Sequence, residues 1–510
     1  MKKGKVFLVL ILALSLVLRV LFLWKHSASF TYDQGRDLLE IREMVVLKKI
    51  RLIGPTTSLH GVFSGPFWYW MGLPFYLLTN GHPLSTEFIL ITLSFLFPIF
   101  VYFLVSDKRL GLILSSVYIF SQAFFQASSV ALNTNPMVFV MPLILLCLTK
   151  FFLQEEKKFL YLTMFSIGSC FHFEAIIGVL MLPFLLIAAL IFKKTKLFLR
   201  NKKGLLVFFI PLVPQLFFEL RHNFIQIKTV LTLISGKGSS LTPASGDLVF
   251  RFFDRLKIFK DVFIFNASGN PMMVGILLIL IIILIGGFLK AKTKRKNEIY
   301  YLGLLTLLSW IIIFFGFVFY PYALWPWYFG AVDALMLTLV GLALFSLFLK
   351  SKTSRRLAYS LLLIFVILNI AKYWSWPLQQ ESSPDPANLR NRLEVVDLIY
   401  DDVQNQGMNI FTFAPYVYDY PYQYLIWWRA KEKYGYLPEE FAYLPHQPGY
   451  VAAKSQADAL IPKKEAKFTY LIIEPFESQQ NWFWQWRDNF PQASSEWQIG
   501  KTRVEKIKIE

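Results

Sequence analysis

The sequence predicts a polytopic α-helical membrane protein with about eleven transmembrane helices and a small α/β domain at its C-terminal end. Three observations lead to this prediction. Hydrophobic residues make up 55% of the 510-residue chain and charged residues only 17%, which excludes an ordinary soluble protein and a disordered one. The apolar residues are gathered in windows of about the length that crosses a bilayer. The basic residues are gathered in short loops between those windows.

The first apolar window, 6–24, follows three lysines and runs on through Arg19 with no small-residue cleavage site behind a short apolar core. This pattern favours an uncleaved first helix over a signal peptide. Ten further windows follow, at 87–105, 110–127, 137–153, 159–174, 175–192, 205–220, 272–289, 299–320, 328–349 and 357–374.

The distribution of basic residues sets the orientation. Three strongly basic loops, 193–203, 290–296 and 350–356, should be cytoplasmic by the positive-inside rule. With a cytoplasmic N-terminus, this holds only if the aromatic run Phe63–Thr79 does not cross the membrane, so we interpret that run as a juxtamembrane or re-entrant helix. The net charge of +19 then belongs mainly to the cytoplasmic face and does not indicate a nucleic-acid partner.

This topology predicts a transmembrane domain over 1–374 and a soluble extracytoplasmic α/β domain over 375–510. A first outer loop spans 25–86, with juxtamembrane helices, and another spans 221–271. In the C-terminal domain the pattern predicts a helix over 388–404, buried strands over 409–414 and 468–473, and an edge strand over 502–509. The short basic inner loops carry no nucleotide-binding motif, and the two cysteines indicate neither a disulfide framework nor a metal knuckle.

The first outer loop holds the sharpest candidate site. The segment Thr31–Asp37 opens an amphipathic helix that can lie on the bilayer surface, and its Asp33 and Asp37, four residues apart, share one face. A carboxylate at that boundary can act as a general base on an acceptor hydroxyl. The alternative is structural: Asp33 caps the helix, and Arg36 and Asp37 form a surface ion pair.

The other outer loops contribute further polar candidates. Arg221 and His222 end one apolar window, and Arg221 is our best candidate to bind a phosphate, with a snorkelling helix anchor as the alternative. His172 and Glu174 lie in a tight turn and could bind acceptor, sugar or metal, or simply form a hydrogen-bonded pair closing the hairpin. Asn133 lies in another outer turn. These residues do not form a complete ligand set, so a divalent metal is possible but not required.

The sequence Thr31-Tyr32-Asp33-Gln34-Gly35-Arg36-Asp37, followed by Leu52-Ile53-Gly54-Pro55 and by His60-Gly61-Val62-Phe63-Ser64-Gly65-Pro66, resembles integral-membrane glycosyltransferases of the C superfamily. The resemblance is to family 39 and its bacterial relatives, which include the protein O-mannosyltransferases and the aminoarabinose transferase of lipid A. In that family an acidic motif follows helix one, and a Pro-containing aromatic segment comes next. The match in order covers residues 1 to about 110 and implies a GT-C-like fold.

The resemblance also implies a reaction. A sugar would pass, with inversion, from a polyprenyl-phosphate donor to a lipid, glycan or protein acceptor on the outer face of the membrane. The acidic residue of the family's first outer loop corresponds to Asp33, which the resemblance implies is the catalytic base. The family's usual Asp-Glu pair is replaced by Asp33-Gln34 here, and Asp37 is a second acidic residue. Partners would be the lipid-linked donor, the acceptor and membrane lipids, and residence in the inner membrane of a prokaryote is expected.

Two other function classes stay open at this point. A transporter or flippase of lipid-linked sugars would carry ionisable residues or broken helices near the bilayer midplane, and the sequence indicates few of either. A non-catalytic membrane assembly protein would tolerate loss of Asp33. Because the acids and bases gather at the outer ends of the apolar windows, the pattern favours the glycosyltransferase.

Overall fold

A computed structural model describes residues 2–24, 28–234, 242–290, 297–381, 383–415, 418–446, 449–476 and 479–509. The chain forms two compact units. The first contains Met1–Arg19, Leu52–Trp68 and Leu90–Trp374, and the second contains Val20–Arg51, Tyr69–Ile89 and Ser375–Glu510.

Helices dominate the chain. In order they are α1 Lys2–Trp24, α2 Tyr32–Leu47, α3 Phe67–Leu78, α4 Glu87–Leu104, α5 Lys108–Ile119, α6 Gln122–Ala127, α7 Met137–Gln154, α8 Lys157–Phe173, α9 Ala175–Ile191, α10 Thr195–Arg200, α11 Lys202–Leu205, α12 Val213–Arg221, α13 Ile225–Ile234, α14 Leu248–Asn266, α15 Pro271–Lys290, α16 Glu298–Phe319, α17 Gly330–Phe348, α18 Lys352–Glu381, α19 Leu389–Val403, α20 Tyr420–Arg429, α21 Lys454–Asp458 and α22 Gln480–Arg487. The strands are β1 Gly407–Phe413, β2 Phe441–Ala442, β3 Ala466–Ile473, β4 Ser495–Ile499 and β5 Thr502–Lys508.

Each of the eleven apolar windows coincides with a helix or with a broken run of helices, which confirms the predicted fold class. In the described residues, six helices are long and apolar enough to cross a membrane by length and composition: α1, α4, α7, α16, α17 and α18, the fifth counted from Pro326. The number rises to eight if each of two bent pairs is one span. The chain is therefore a multi-pass membrane protein.

The bends have local causes that hydropathy does not report. The window 205–220 bends by 57° between Phe209 and Val213, where Pro211 interrupts the helix. The window 110–127 is split because the Ser121 side chain accepts a hydrogen bond from the Phe124 amide and caps a new helix there. The outer loop predicted at 221–271 is itself largely helical: it contains α13 and α14, and α14 meets α15 at 108°.

The second unit is built around a five-stranded sheet in the order β2-β1-β3-β5-β4. β1 pairs in parallel with β2 and β3, whereas β5 is antiparallel to both β3 and β4. The predicted helix and the two buried strands are confirmed as α19, β1 and β3. The prediction that 502–509 forms an edge strand is wrong, because the exposed, polar segment Ser495–Ile499 pairs along its outer side.

Helix α2 belongs to this second unit, where its apolar side chains Leu38, Leu39, Ile41 and Met44 are buried by protein. The expectation that they lie on the bilayer surface is therefore corrected. The helix packs against α20 at Gly35, where an added Cβ would come within 2.6 Å of the Pro421 backbone nitrogen. The glycine of the Tyr32–Asp37 segment is thus needed for a close approach between two backbones.

Candidate functional site

The start of α2 is fixed by Thr31 rather than by Asp33. The Thr31 hydroxyl accepts a hydrogen bond from the Gln34 backbone amide at 3.4 Å, and the Gln34 side chain accepts one from the Thr31 amide at 2.7 Å. This reciprocal pair is a capping box. The alternative that Asp33 is the N-cap is therefore wrong, and the carboxylate of Asp33 is free of that structural duty.

Asp33, Arg36 and Asp37 form one cluster. An Arg36 Nη1 to Asp33 Oδ1 distance of 2.8 Å makes one ion pair, and Arg36 also donates to Asp37 Oδ1 from Nε at 3.0 Å and from Nη2 at 2.8 Å. The two carboxylates differ sharply in exposure, since the Asp33 side chain is 44% exposed and that of Asp37 only 1%. The Arg36–Asp37 pair is thus not the surface ion pair of the structural alternative.

The surroundings of Arg36 keep it charged. Burial opposes the charged form, but contact with Asp37 and Asp33 outweighs it and raises the pKa of Arg36 well above its usual value. Tyr69 donates a hydrogen bond to Asp37 Oδ1 at 3.4 Å, and burial raises the pKa of Tyr69 well above 10, so the phenol keeps its proton. Asp37 therefore serves as a buried acceptor that orients a cation.

The next turn of α2 carries a second cluster. Arg51 contacts the carboxylates of both Glu40 and Glu43. Burial raises the pKa of Glu40 to about 7, because the attraction of Arg51, shared with Glu43, does not offset desolvation. Because two carboxylates share one guanidinium here, Glu40 keeps its proton up to about neutral pH.

Two residues that contact α2, Tyr69 and Glu87, were not predicted from the sequence. Tyr69 lies in a run of aromatic residues where nothing distinguishes it from its neighbours, and Glu87 opens an apolar window. Glu87 is fully buried and accepts a hydrogen bond from the Gln34 side chain at 2.6 Å. The glutamine that replaces the acid of the family's motif is thus used twice, in the helix cap and in this buried contact.

In the first unit, His172 is a buried bridge between two backbone segments. Its Nδ1 accepts a hydrogen bond from the Phe67 amide at 3.2 Å, and its Nε2 donates to the Pro211 carbonyl at 2.8 Å. The ring stacks on Phe67 with centroids 3.7 Å apart, and Gly65 leaves it room, since a Cβ there would meet Nδ1 at 2.1 Å. Both nitrogens are occupied by backbone groups, so the pair with Glu174 expected to close the hairpin does not form.

The remaining candidates of the first unit are more accessible. Glu174 is half-buried in the turn between α8 and α9, near enough to Tyr320 and Tyr328 to act on their hydroxyls electrostatically. Asn133 is half-buried in the turn before α7. Arg221 is exposed at the end of α12, and the exposed His222 stacks on Phe218 while its Nδ1 donates to the Phe218 carbonyl at 2.8 Å.

Of the eight candidates, the structure brings Asp33, Arg36 and Asp37 into one cluster. Arg221 and His222 are neighbours in sequence at one helix end, and His172 is engaged with backbone groups. Within the described residues, no group of three or more His, Cys, Asp or Glu side chains is placed to hold a metal ion. Within this cluster, the accessible carboxylate of Asp33 is held by the guanidinium of Arg36, whose side chain is 13% exposed.

No protein-family model and no curated protein matches the chain in sequence. In structure, the chain is similar to ArnT from Cupriavidus metallidurans in its apo state, with a TM-score of 0.61, 12% identity, and coverage of 99% of this chain and 98% of that one. It has an ArnT-like fold. ArnT from the same organism bound to undecaprenyl phosphate gives a TM-score of 0.60 at 12% identity, covering 98% of this chain and 97% of that one.

This likeness in structure agrees with the membrane fold class predicted from the sequence. The likeness extends over nearly the whole of both chains, whereas the sequence motifs covered only the first 110 residues or so. The fold therefore includes the C-terminal sheet domain as well as the apolar helices.

Proposed function

We propose that the protein transfers a sugar from a polyprenyl-phosphate donor to a lipid, glycan or protein acceptor on the outer face of the membrane. The observation that carries this proposal is the near full-length ArnT-like fold, since one of the two ArnT structures holds undecaprenyl phosphate. The cluster around Asp33 supports it from within the chain, because it supplies an accessible carboxylate with a fixed position.

Asp33 is proposed as the base. Its carboxylate takes the proton of an acceptor hydroxyl, the oxygen forms a bond to the anomeric carbon, and the bond from that carbon to the lipid phosphate breaks, with inversion. Arg36 holds Asp33 in place, and Asp37, which is only 1% exposed, holds Arg36. We therefore assign Asp37 and Arg36 as positioning residues, which revises the expectation that Asp37 is itself catalytic.

The leaving phosphate requires a cation or hydrogen-bond donors. We propose Arg221 for this role because it is exposed at the end of α12 and has a long, permanently charged side chain. His222, Glu174 and Asn133 are proposed as further contacts to sugar, phosphate or acceptor. His172, whose two ring nitrogens are bound to backbone groups, is proposed to hold the segment before α3 in place.

The test is sugar transfer by purified protein in lipid vesicles, with a panel of undecaprenyl-phosphate sugars. Asp33→Asn should abolish transfer while leaving folding intact, because asparagine keeps the size but cannot accept the proton. Glu394→Gln is a matched control: Glu394 is 47% exposed and pairs with Arg390 four residues earlier on a helix of the same unit. Full transfer by Asp33→Asn would refute the base assignment.

One observation favours a second candidate, a flippase of lipid-linked sugars. The two helix pairs bent by 57° and 108° resemble the discontinuous helices that line transporter sites. A flippase would move a fluorescent lipid-linked sugar between leaflets and form no new glycosidic bond. Movement without transfer, unchanged in Asp33→Asn, would therefore favour this candidate over the enzyme.

We further propose residence in the inner membrane, a cytoplasmic N-terminus and an extracytoplasmic C-terminal domain. The basic loops 193–203 and 350–356 support this orientation. Cysteines introduced at the exposed positions Ser455 and Thr353 should separate the two sides. A membrane-impermeant maleimide applied to whole spheroplasts should label the first and not the second, and the reverse pattern would refute the orientation.

A further inference from the structure

The second unit contains a small cavity of about 210 Å³ between α2, α3, α20 and the turn after α21. Its lining contains two cations, Arg42 and Lys431, the aromatic side chains of Trp427 and Tyr76, and the amide of Asn80. The other lining side chains are apolar and include Val45, Leu77 and Leu460. None of the candidate residues named for sugar transfer lines this cavity, and no acidic side chain does.

Arg42 is the unusual group in this cavity. Its side chain is only 2% exposed, yet Nε and Nη1 are buried without a hydrogen-bond partner. Asp458 acts on it electrostatically but is itself paired with Lys454 at 3.1 Å. Burial lowers the pKa of Arg42, because the attraction of neighbouring groups does not offset the loss of solvent around its charge. A buried guanidinium in this state is costly unless an anion or water completes its hydrogen bonds.

Trp427 and Lys431 complete the polar end of the cavity. The Arg42 guanidinium lies over the Trp427 ring at 4.8 Å, and the Lys431 ammonium lies 5.7 Å from the same ring. Asn80 Oδ1 accepts a hydrogen bond from Lys431 at 2.6 Å and fixes its position. Both cations therefore lie near one indole ring at the cavity, and an anion bound there would be attracted to both of them.

Most of the remaining lining is apolar and faces outward. Leu77 is 58% exposed and Leu460 is 71% exposed, so both present bare hydrocarbon at the surface of the unit. The cavity is smaller than the roughly 300–1,000 Å³ typical of drug-sized ligands, but it exceeds the room taken by a phosphate group. Its size therefore suits a head group whose chain leaves across the two leucines.

We propose that this cavity binds the phosphate group of an anionic amphiphile, with Arg42 and Lys431 as its ligands and with Leu77 and Leu460 against the first methylenes of its chain. Both a charged group and an apolar chain are required by the lining, which is why we assign an anionic lipid rather than free phosphate. This site goes beyond the proposed sugar transfer and does not depend on it.

Helix geometry separates the cavity from the Asp33 cluster. At about 100° per residue, Arg42 lies about 140° around α2 from Asp37 and about 7.5 Å further along its axis. The two residues therefore point from different faces of the same helix. A lipid held at Arg42 would anchor α2 without occupying the position of Asp33.

The test measures equilibrium binding of radiolabelled dodecyl phosphate to delipidated, purified full-length protein in a neutral detergent. We expect Arg42→Gln to lose one class of sites, with affinity reduced about tenfold or more, because charge-assisted hydrogen bonds to a buried cation are lost. Arg429→Gln is the matched control, since Arg429 stacks on Trp428 at 5.3 Å, pairs with Asp397 and lies outside the cavity lining. It should bind like the unaltered protein.

A second variant guards against a folding defect. Leu460→Glu places a negative charge at the exposed mouth without disturbing the buried core, and it should weaken the same class of sites. Binding that is unchanged in both variants would overturn the proposal. Inorganic phosphate competing as well as dodecyl phosphate would overturn the assignment to a lipid. Loss of one class of sites in Arg42→Gln, with any other class retained, supports the proposal, and retention of every class of sites in that variant overturns it.

Discussion

Asp37→Asn is the substitution whose effect on stability the structure defines best. It keeps the size of the side chain but removes the charge that accepts two hydrogen bonds from Arg36 and one from Tyr69. Removing one member of a buried ion pair costs about 3–5 kcal/mol, because the other charge is left without compensation. Arg36 keeps its contact with Asp33, so we expect the lower end of that range, about 3 kcal/mol.

Thermal unfolding followed by intrinsic tryptophan fluorescence measures this loss. For a unit of this size, 1 kcal/mol lowers the melting temperature by about 2–4 °C, so Asp37→Asn should lower it by about 6–12 °C. Asp33→Asn, at a half-exposed position, should cost about 0–1 kcal/mol and shift the melting temperature by about 4 °C at most. The two substitutions should thus have different effects: Asp37→Asn should mainly lower stability, and Asp33→Asn should mainly lower activity.

Removing both buried charges supplies the internal control. The double variant Arg36→Met, Asp37→Leu leaves no unpaired charge in the pair and should recover much of the stability that Asp37→Asn loses. Its sugar transfer should stay impaired, because Asp33 then lacks the guanidinium that holds it. If Asp37→Asn melts like the unaltered protein, the buried pair does not stabilise the unit and the positioning role assigned to Asp37 is refuted.

Three further predictions concern stability. Gly65→Ala should destabilise the first unit, since its Cβ would meet an imidazole nitrogen at 2.1 Å, whereas Gly275→Ala, with nothing within 4 Å, should be neutral or slightly stabilising; thermal melts compare them. Glu40, whose pKa is raised from 4.5 to about 7, binds its proton more tightly when folded, so stability should fall as pH rises from about 5 to 7. Glu40→Gln should flatten that melting profile, and an unchanged slope would contradict the assignment. Glu474→Gln, in a pair only 2% exposed, should cost about 3–5 kcal/mol, against less than about 1 kcal/mol for the exposed Glu394→Gln in matched melts.

The sequence by itself determined the class of protein and most of its elements. Apolar windows of spanning length are a one-dimensional property, because the bilayer imposes the same length on every helix that crosses it. Alternating and continuous apolar runs likewise predicted β1 and β3. The resemblance to membrane glycosyltransferases followed from a short stretch of acidic, glycine and proline residues, and the ArnT-like fold agrees with the fold that this resemblance implied.

Tertiary structure decided what the individual residues do. Asp33 and Asp37 are equivalent by spacing, but only packing around α2 makes one accessible and buries the other. The helix cap at Thr31 depends on local backbone geometry. The pairing of β5 with the polar strand β4 and the unpartnered guanidinium nitrogens of Arg42 depend on how the chain packs in three dimensions. Whether a side chain is buried depends on the residues that surround it in space. A sequence pattern predicts burial only where apolar residues recur with the period of a helix or strand, so that they share one face of that element.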